Sequence, residues 1–74
     1  MLPPTAHYTL GETLAFISAR RLQLAHEPAG GVAAVYRNGV RQTPGEDYDL
    51  IGRDVTPKYD WDDVNDLVVA DYWW

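Results

Sequence analysis

The chain has 74 residues, eleven acidic against six basic side chains, no cysteine, and 46% hydrophobic residues. That length bounds it to one small domain near the lower limit for a self-supporting core, with no disulfide or thiolate-bound metal to staple it. A net charge of −5 argues against a phosphate-backbone partner, which needs basic residues concentrated on one face, so no nucleic acid is expected. No apolar run approaches bilayer length, and no secretory leader pattern opens the chain, so no membrane partner is expected either.

The charge is divided along the chain. Residues 1–45 carry four arginines against two glutamates, whereas residues 46–74 carry nine acids against Arg53 and Lys58. The two parts are complementary, so the arginines suit an acidic partner or the acidic part of another copy.

In chain order, Pro3 and Pro4 bar a helix start, and residues 1–12 are expected to form an extended N-terminal arm, with "HYTL" strand-like. Residues 13–74 then form one β domain. The stretch "TLAFISARRLQLAHEP" has Leu22 and Leu24 alternating with Arg21, Gln23 and Ala25, which predicts strand with a bend near Ser18–Arg20. A helix over residues 13–24 stays open as the rival.

"EPAGG" is a turn. "VAAVYR" is a strand that meets Asn38-Gly39, the strongest short hairpin signal, because a type I′ turn needs positive φ at both central residues. Pro44-Gly45 suits the centre of a type II turn. "DYDLI" is a one-sided strand with Tyr48 and Leu50 inward, and Gly52 turns the chain into "VTPKY". There Pro57 cannot donate to a ladder, so it marks an edge or an end. The acidic "DWDDVND" is a loop, and "LVVADYWW" is the last strand, with Val68, Ala70 and Tyr72 on one face. Turns every eight to twelve residues or so predict an all-β fold, a small antiparallel sandwich or partly open barrel of about six strands. Tyr36 and Tyr48 are both expected to offer rings to its shallow core, with a cross-strand Arg37–Asp47 pair where the strands are neighbours.

The order "VYRNGVRQTPGEDYDLIGRDVTPKY", closed by "DLVVADYW", resembles a small β module of tailed-bacteriophage virion proteins. The likeness is carried by Val35 to Gly39, by Gly45, Asp47 and Tyr48, by Gly52, and by Val68, Val69 and Tyr72, over roughly residues 20–74. The chain departs from that pattern at Asn65-Asp66, where Gly-Asp is usual, and at Pro57. The resemblance implies a virion component in the tail, baseplate or fibre-attachment region, with other virion proteins and copies of itself as partners. A capsid decoration protein is the alternative within that class.

Catalysis has little support. His7 and His26 sit in separate segments, no nucleophile-elbow context surrounds any hydroxyl, and Ser18 with His26 and an acid is a triad only on paper. No enzyme and no cofactor are therefore expected. In the acidic loop, Val64 and Asn65 stand where a calcium loop wants an oxygen donor and a glycine, so no metal site is expected. Gly30 and Gly31 lead into a strand, which makes them turn glycines and not a phosphate cradle.

The candidate functional residues are therefore interfacial: Tyr72, Trp73 and Trp74 at the chain end, Trp61, and the pair Arg20 and Arg21. Folding of the terminal tryptophans back over the sheet is the equal alternative to docking on a neighbour. A different class, carbohydrate binding to a host surface glycan, would use Trp61, Tyr59 and the loop acids. Asn38, Gly39, Pro44, Gly45 and Gly52 are assigned to turns. A small regulator of a host protein is a third class.

Overall fold

The computed structural model describes residues 7–74. Eight short strands follow one another: β1 (Tyr8–Thr13), β2 (Ala15–Ser18), β3 (Arg21–Gln23), β4 (Ala33–Arg37), β5 (Val40–Arg41), β6 (Tyr48–Ile51), β7 (Asp54–Pro57) and β8 (Val68–Trp73). A 3₁₀ turn at Ala29–Gly31 lies between β3 and β4. They form two four-stranded antiparallel sheets, ordered β1-β8-β4-β5 and β2-β3-β7-β6. The expected β-sandwich is the fold, with no closed barrel.

Eight strands replace the about six expected because the stretch from Tyr8 to Gln23 is broken at two places. Leu14 separates β1 from β2 and carries the chain from one sheet to the other. Its N–H donates to the Val68 carbonyl at 2.9 Å while its side chain is buried. The expected bend at Ser18–Arg20 is the β2–β3 turn, and residues 13–24 hold no helix. The helical spacing fails there because Leu22 and Leu24, two residues apart, are both fully buried.

Of the arm expected over residues 1–12, residues 1–6 lie outside the described residues. From Tyr8 onward the segment is no free arm. It is an edge strand paired with β8, Tyr8 opposite Trp73 and Thr13 opposite Val69. The register slips between Thr9 and Glu12, and the N–H of Gly11 in this bulge donates to Asp71 Oδ1 at 2.6 Å.

The core is filled by alternate residues of both sheets. Ala33, Val35, Val68, Ala70 and Tyr72 face inward from one, and Leu22, Tyr48 and Val55 from the other. The period of two places Tyr36 on the opposite side from Val35, so Tyr36 is only half-buried and does not join the core as expected. Tyr48 does, and its hydroxyl donates to the Ala33 carbonyl at 3.0 Å, bridging the two sheets. Burial pushes the Tyr48 phenol up from 10.0. Pro57 ends β7 opposite Tyr48, beyond the two residues, Asp54 and Val55, that pair with β3. An interior strand therefore tolerates it.

The turns form as the residue types require. Asn38 and Gly39 have φ of 52° and 81°, the left-handed pair that a two-residue hairpin between Arg37 and Val40 needs. Gly45 has φ 84°, and the Glu46 N–H donates to the Thr43 carbonyl at 3.2 Å around Pro44-Gly45, as in a type II turn. Gly52 opens the turn between Ile51 and Asp54.

Candidate functional site: the hairpin cleft and the aromatic chain end

Two regions collect the chemistry. The first is built on the β4–β5 hairpin. Arg37 leaves the end of β4 and donates from Nε to Asp66 Oδ2 at 2.6 Å. Asn38 Nδ2 donates to Asp66 Oδ1 at 2.8 Å, and the Leu67 N–H donates to Asn38 Oδ1 at 2.8 Å. The turn is thereby fastened to the segment that enters β8. The Arg37 and Asn38 hydrogen bonds hold the Asp66 carboxyl below its usual 3.8.

Within the acidic loop, the Asp62 carboxylate is used on the loop itself. Asp62 Oδ1 accepts the N–H groups of Val64 and Asn65, and Oδ2 accepts Asn65 Nδ2 at 2.9 Å. The Asn65 side-chain bond, followed by the backbone bonds, lowers the Asp62 pKa. The Asp62 N–H in turn donates to Asp66 Oδ2 at 2.8 Å. The loop is thus a set of local turns in which Asp62 and Asp66 accept backbone N–H groups that a strand would have paired.

Asp47 does not pair with Arg37 as the sequence suggested, because β4 and β6 belong to different sheets. Its Oδ2 accepts the Thr43 N–H at 2.7 Å and its Oδ1 accepts the Tyr59 hydroxyl at 2.8 Å. The Thr43 bond is the larger cause of its lowered pKa, and the Tyr59 phenol is pushed up by the same contact with Asp47.

Arg37, Val40, Arg41, Gln42, Asp47 and Tyr59 line an open cleft of about 420 Å³ alongside Asn38. Gln42 is buried, and its Nε2 donates to the Val40 carbonyl at 2.9 Å. The Arg37 guanidinium carbon lies 5.9 Å from the centre of the Tyr59 ring and 5.4 Å from that of Trp61. Sequence reasoning singled out this hairpin for its turn and missed its cleft.

Trp61 is corrected as an interface or sugar-stacking residue: it is 2% exposed and belongs to the core. A loop residue with no periodic partner gives no sign of burial, yet its backbone N–H donates to the Ala19 carbonyl at 3.1 Å, drawing the indole in. Among the described residues, its Nε1 has no acceptor at hydrogen-bonding geometry.

The second region is the chain end. Tyr72 is also corrected as an interface anchor, since it is buried at the inner face of β8. Its hydroxyl donates to Glu12 Oε1 at 2.6 Å and accepts the His26 N–H at 3.2 Å, while Glu12 Oε2 accepts the Ala25 N–H at 3.0 Å. Burial, followed by the Glu12 bond, pushes the Tyr72 phenol up to about 12. Trp74 folds back over the chain. Its backbone exchanges two 2.9 Å hydrogen bonds with His7, its Nε1 donates to Thr9 Oγ1, and its ring stacks on both His7 and His26, at 4.4 Å and 3.3 Å between centres.

Trp73 points the other way and stays 38% exposed, its ring 4.1 Å from that of Tyr8 across the β1–β8 pair. Arg20 and Arg21 lie on the opposite sheet, exposed and ion-paired with Asp60 at 2.6 Å and Asp54 at 3.4 Å. The six residues grouped from sequence are therefore not brought together. Only Trp73, Arg20 and Arg21 reach the surface to a large extent.

No family model, curated protein or solved structure matches the chain.

Proposed function

We propose that this protein is a structural component of a tailed-phage virion, in the tail, baseplate or fibre-attachment region, acting by docking to neighbouring virion proteins and to copies of itself. The likeness of the hairpin and the strands after it to phage β modules suggests the class. The observation that carries docking is the Tyr8–Trp73 pair. The two rings meet across an edge strand, on the face turned away from the core, and keep 47% and 38% of their surface in solvent. Val32, 70% exposed just ahead of the Ala33–Tyr72 pair, extends the apolar surface across β8. Tryptophan and tyrosine dominate binding energy at interfaces because they bury large area at small entropic cost.

A mass-spectrometric inventory of purified particles tests the reading. The protein should be present in fixed stoichiometry, and Trp73→Ala should lower its incorporation while the isolated domain stays folded. Absence from the particles, or full incorporation of the variant, defeats it.

A further inference from the structure

The outer face of the β1-β8-β4-β5 sheet extends well past the Tyr8–Trp73 pair. Resting on the reading of that pair as a docking surface, we infer that its occupant is the same face of a second copy, so that the protein is a two-fold dimer packed sheet on sheet.

The strand register draws the face. Trp73 lies beside Tyr8 on one side and, because Ala33 pairs with Tyr72, beside Val32 on the other. Two residues along β8, Asp71 is opposite Ala34, and two further on Val69, Tyr36 and Arg41 share a row. Leu67, one residue ahead of buried Val68, continues the same column and stays 56% exposed.

An antiparallel sheet with one wet face alternates apolar with polar residues. Here "VAAVY" at residues 32–36 and "LVVA" at residues 67–70 are unbroken apolar runs, the pattern of strands covered on both sides. The other sheet provides the contrast within the same molecule. Its outer face carries Arg21, Asp54, Asp49 and Lys58, joined in two ion pairs.

Charge selects a copy of this chain over an unlike partner. The apolar face holds one base, Arg41, and one acid, Asp71. Among the described residues Arg41 has no carboxylate partner, and Asp71 uses only Oδ1, on the Gly11 N–H at 2.6 Å. The two sit on β5 and β8, with β4 between them. A two-fold axis lying along β4 in the interface exchanges those two strands. Each Arg41 then crosses to β8 of the other copy, two residues or about 7 Å along the strand from Asp71, a span an extended arginine covers. Symmetry makes the ion pair twice, whereas the net charge of −5 opposes approach by more acidic faces.

Size sets the strength. β1, β8 and β4 run five or six residues each, so the face measures about 15 by 20 Å in plan before protruding side chains are counted. Two such faces lie at the small end of specific interfaces, which begin near about 1,200 Å² in total, and a dimer dissociating in the micromolar range follows.

The test is sedimentation equilibrium of the isolated full chain from about 5 µM to about 500 µM. Val32→Asp and Arg41→Glu probe the face, and Ile51→Asp, on the outer face of the other sheet, is the comparison. All three side chains are exposed, so the variants keep the fold, checked by circular dichroism. A monomer–dimer equilibrium is expected, weakened about tenfold or more by Val32→Asp and by Arg41→Glu and unchanged by Ile51→Asp. A monomer throughout the range, an oligomer larger than two, unchanged affinity in Arg41→Glu, or dissociation by Ile51→Asp would each overturn the assignment. The particle inventory separates the two readings. A monomer that still enters particles overturns the self-packing alone, and a dimer absent from particles overturns the virion role alone.

Discussion

Arg37 Nε and Asp66 Oδ2 meet at 2.6 Å and join residues 29 positions apart, fixing the hairpin turn against the start of β8. Through Asp66 the same contact reaches Asn38 and the Asp62 backbone, so one carboxylate closes a network of four residues. A network of this kind holds the cleft's Arg37 in one orientation, and it makes the hairpin's stability depend on the ionisation of its acids.

Acid should therefore loosen the molecule. Asp47, Asp62 and Asp66 all have folded pKa values below 3.8. A group lowered in the folded state stabilises fully above its unfolded value, and that contribution disappears as pH falls through the folded value. The denaturant midpoint should be flat from neutral pH to about pH 5 and fall below about pH 4. Asp66→Asn should lower the midpoint at neutral pH and flatten the acid limb, measured by urea unfolding followed by circular dichroism.

Trp61 should be the most costly side chain to truncate. It fills the core from a loop, and Trp→Ala at such a site costs about 3–5 kcal/mol. That is a large fraction of the ~4–11 kcal/mol expected for a chain of this length. Trp61→Ala should be largely unfolded at 37 °C by near-ultraviolet circular dichroism, and Trp61→Phe should retain the fold at a lower midpoint.

At Gly39 the backbone has φ 81°, where a β-carbon is strained even though nothing lies within 4 Å of it. Gly39→Ala should cost about 1–2 kcal/mol by thermal or urea unfolding. A destabilisation indistinguishable from zero would mean that the turn relaxes into another type.

The two terminal tryptophans should separate cleanly. Trp74 holds the chain end through Thr9 and the two histidines, whereas Trp73 loses only its contact with Tyr8. Trp73→Ala should cost about 0.2–1 kcal/mol, the worth of a cross-strand aromatic pair. Trp74→Ala should cost more and should speed hydrogen exchange at the backbone amides of positions 7 and 74. Equal effects would contradict the opposed placement of the two rings.

Tyr72 should report at the alkaline end. Its phenol is raised from 10.0 to about 12, so the stability it adds is complete below pH 10 and fades as pH climbs toward 12. Tyr72→Phe should lose about 1–3 kcal/mol at neutral pH, because Glu12 and the His26 N–H lose a partner.

Strand and turn identity were legible in the residues themselves. Asn38-Gly39 and Pro44-Gly45 have few backbone conformations open to them, and Leu22–Leu24 or Val68–Ala70–Tyr72 can bury one face only as strands. These are local properties, set by φ preference and by a period of two. What only the folded chain decided lay between segments distant in sequence. Trp61 went inward, Trp73 and Trp74 parted, and Asp66 and not Asp47 took Arg37. Each depends on which sheet a strand joins and which loop crosses an end of the sandwich. Those choices are settled by the joint packing of two sheets, and no window of neighbouring residues encodes them.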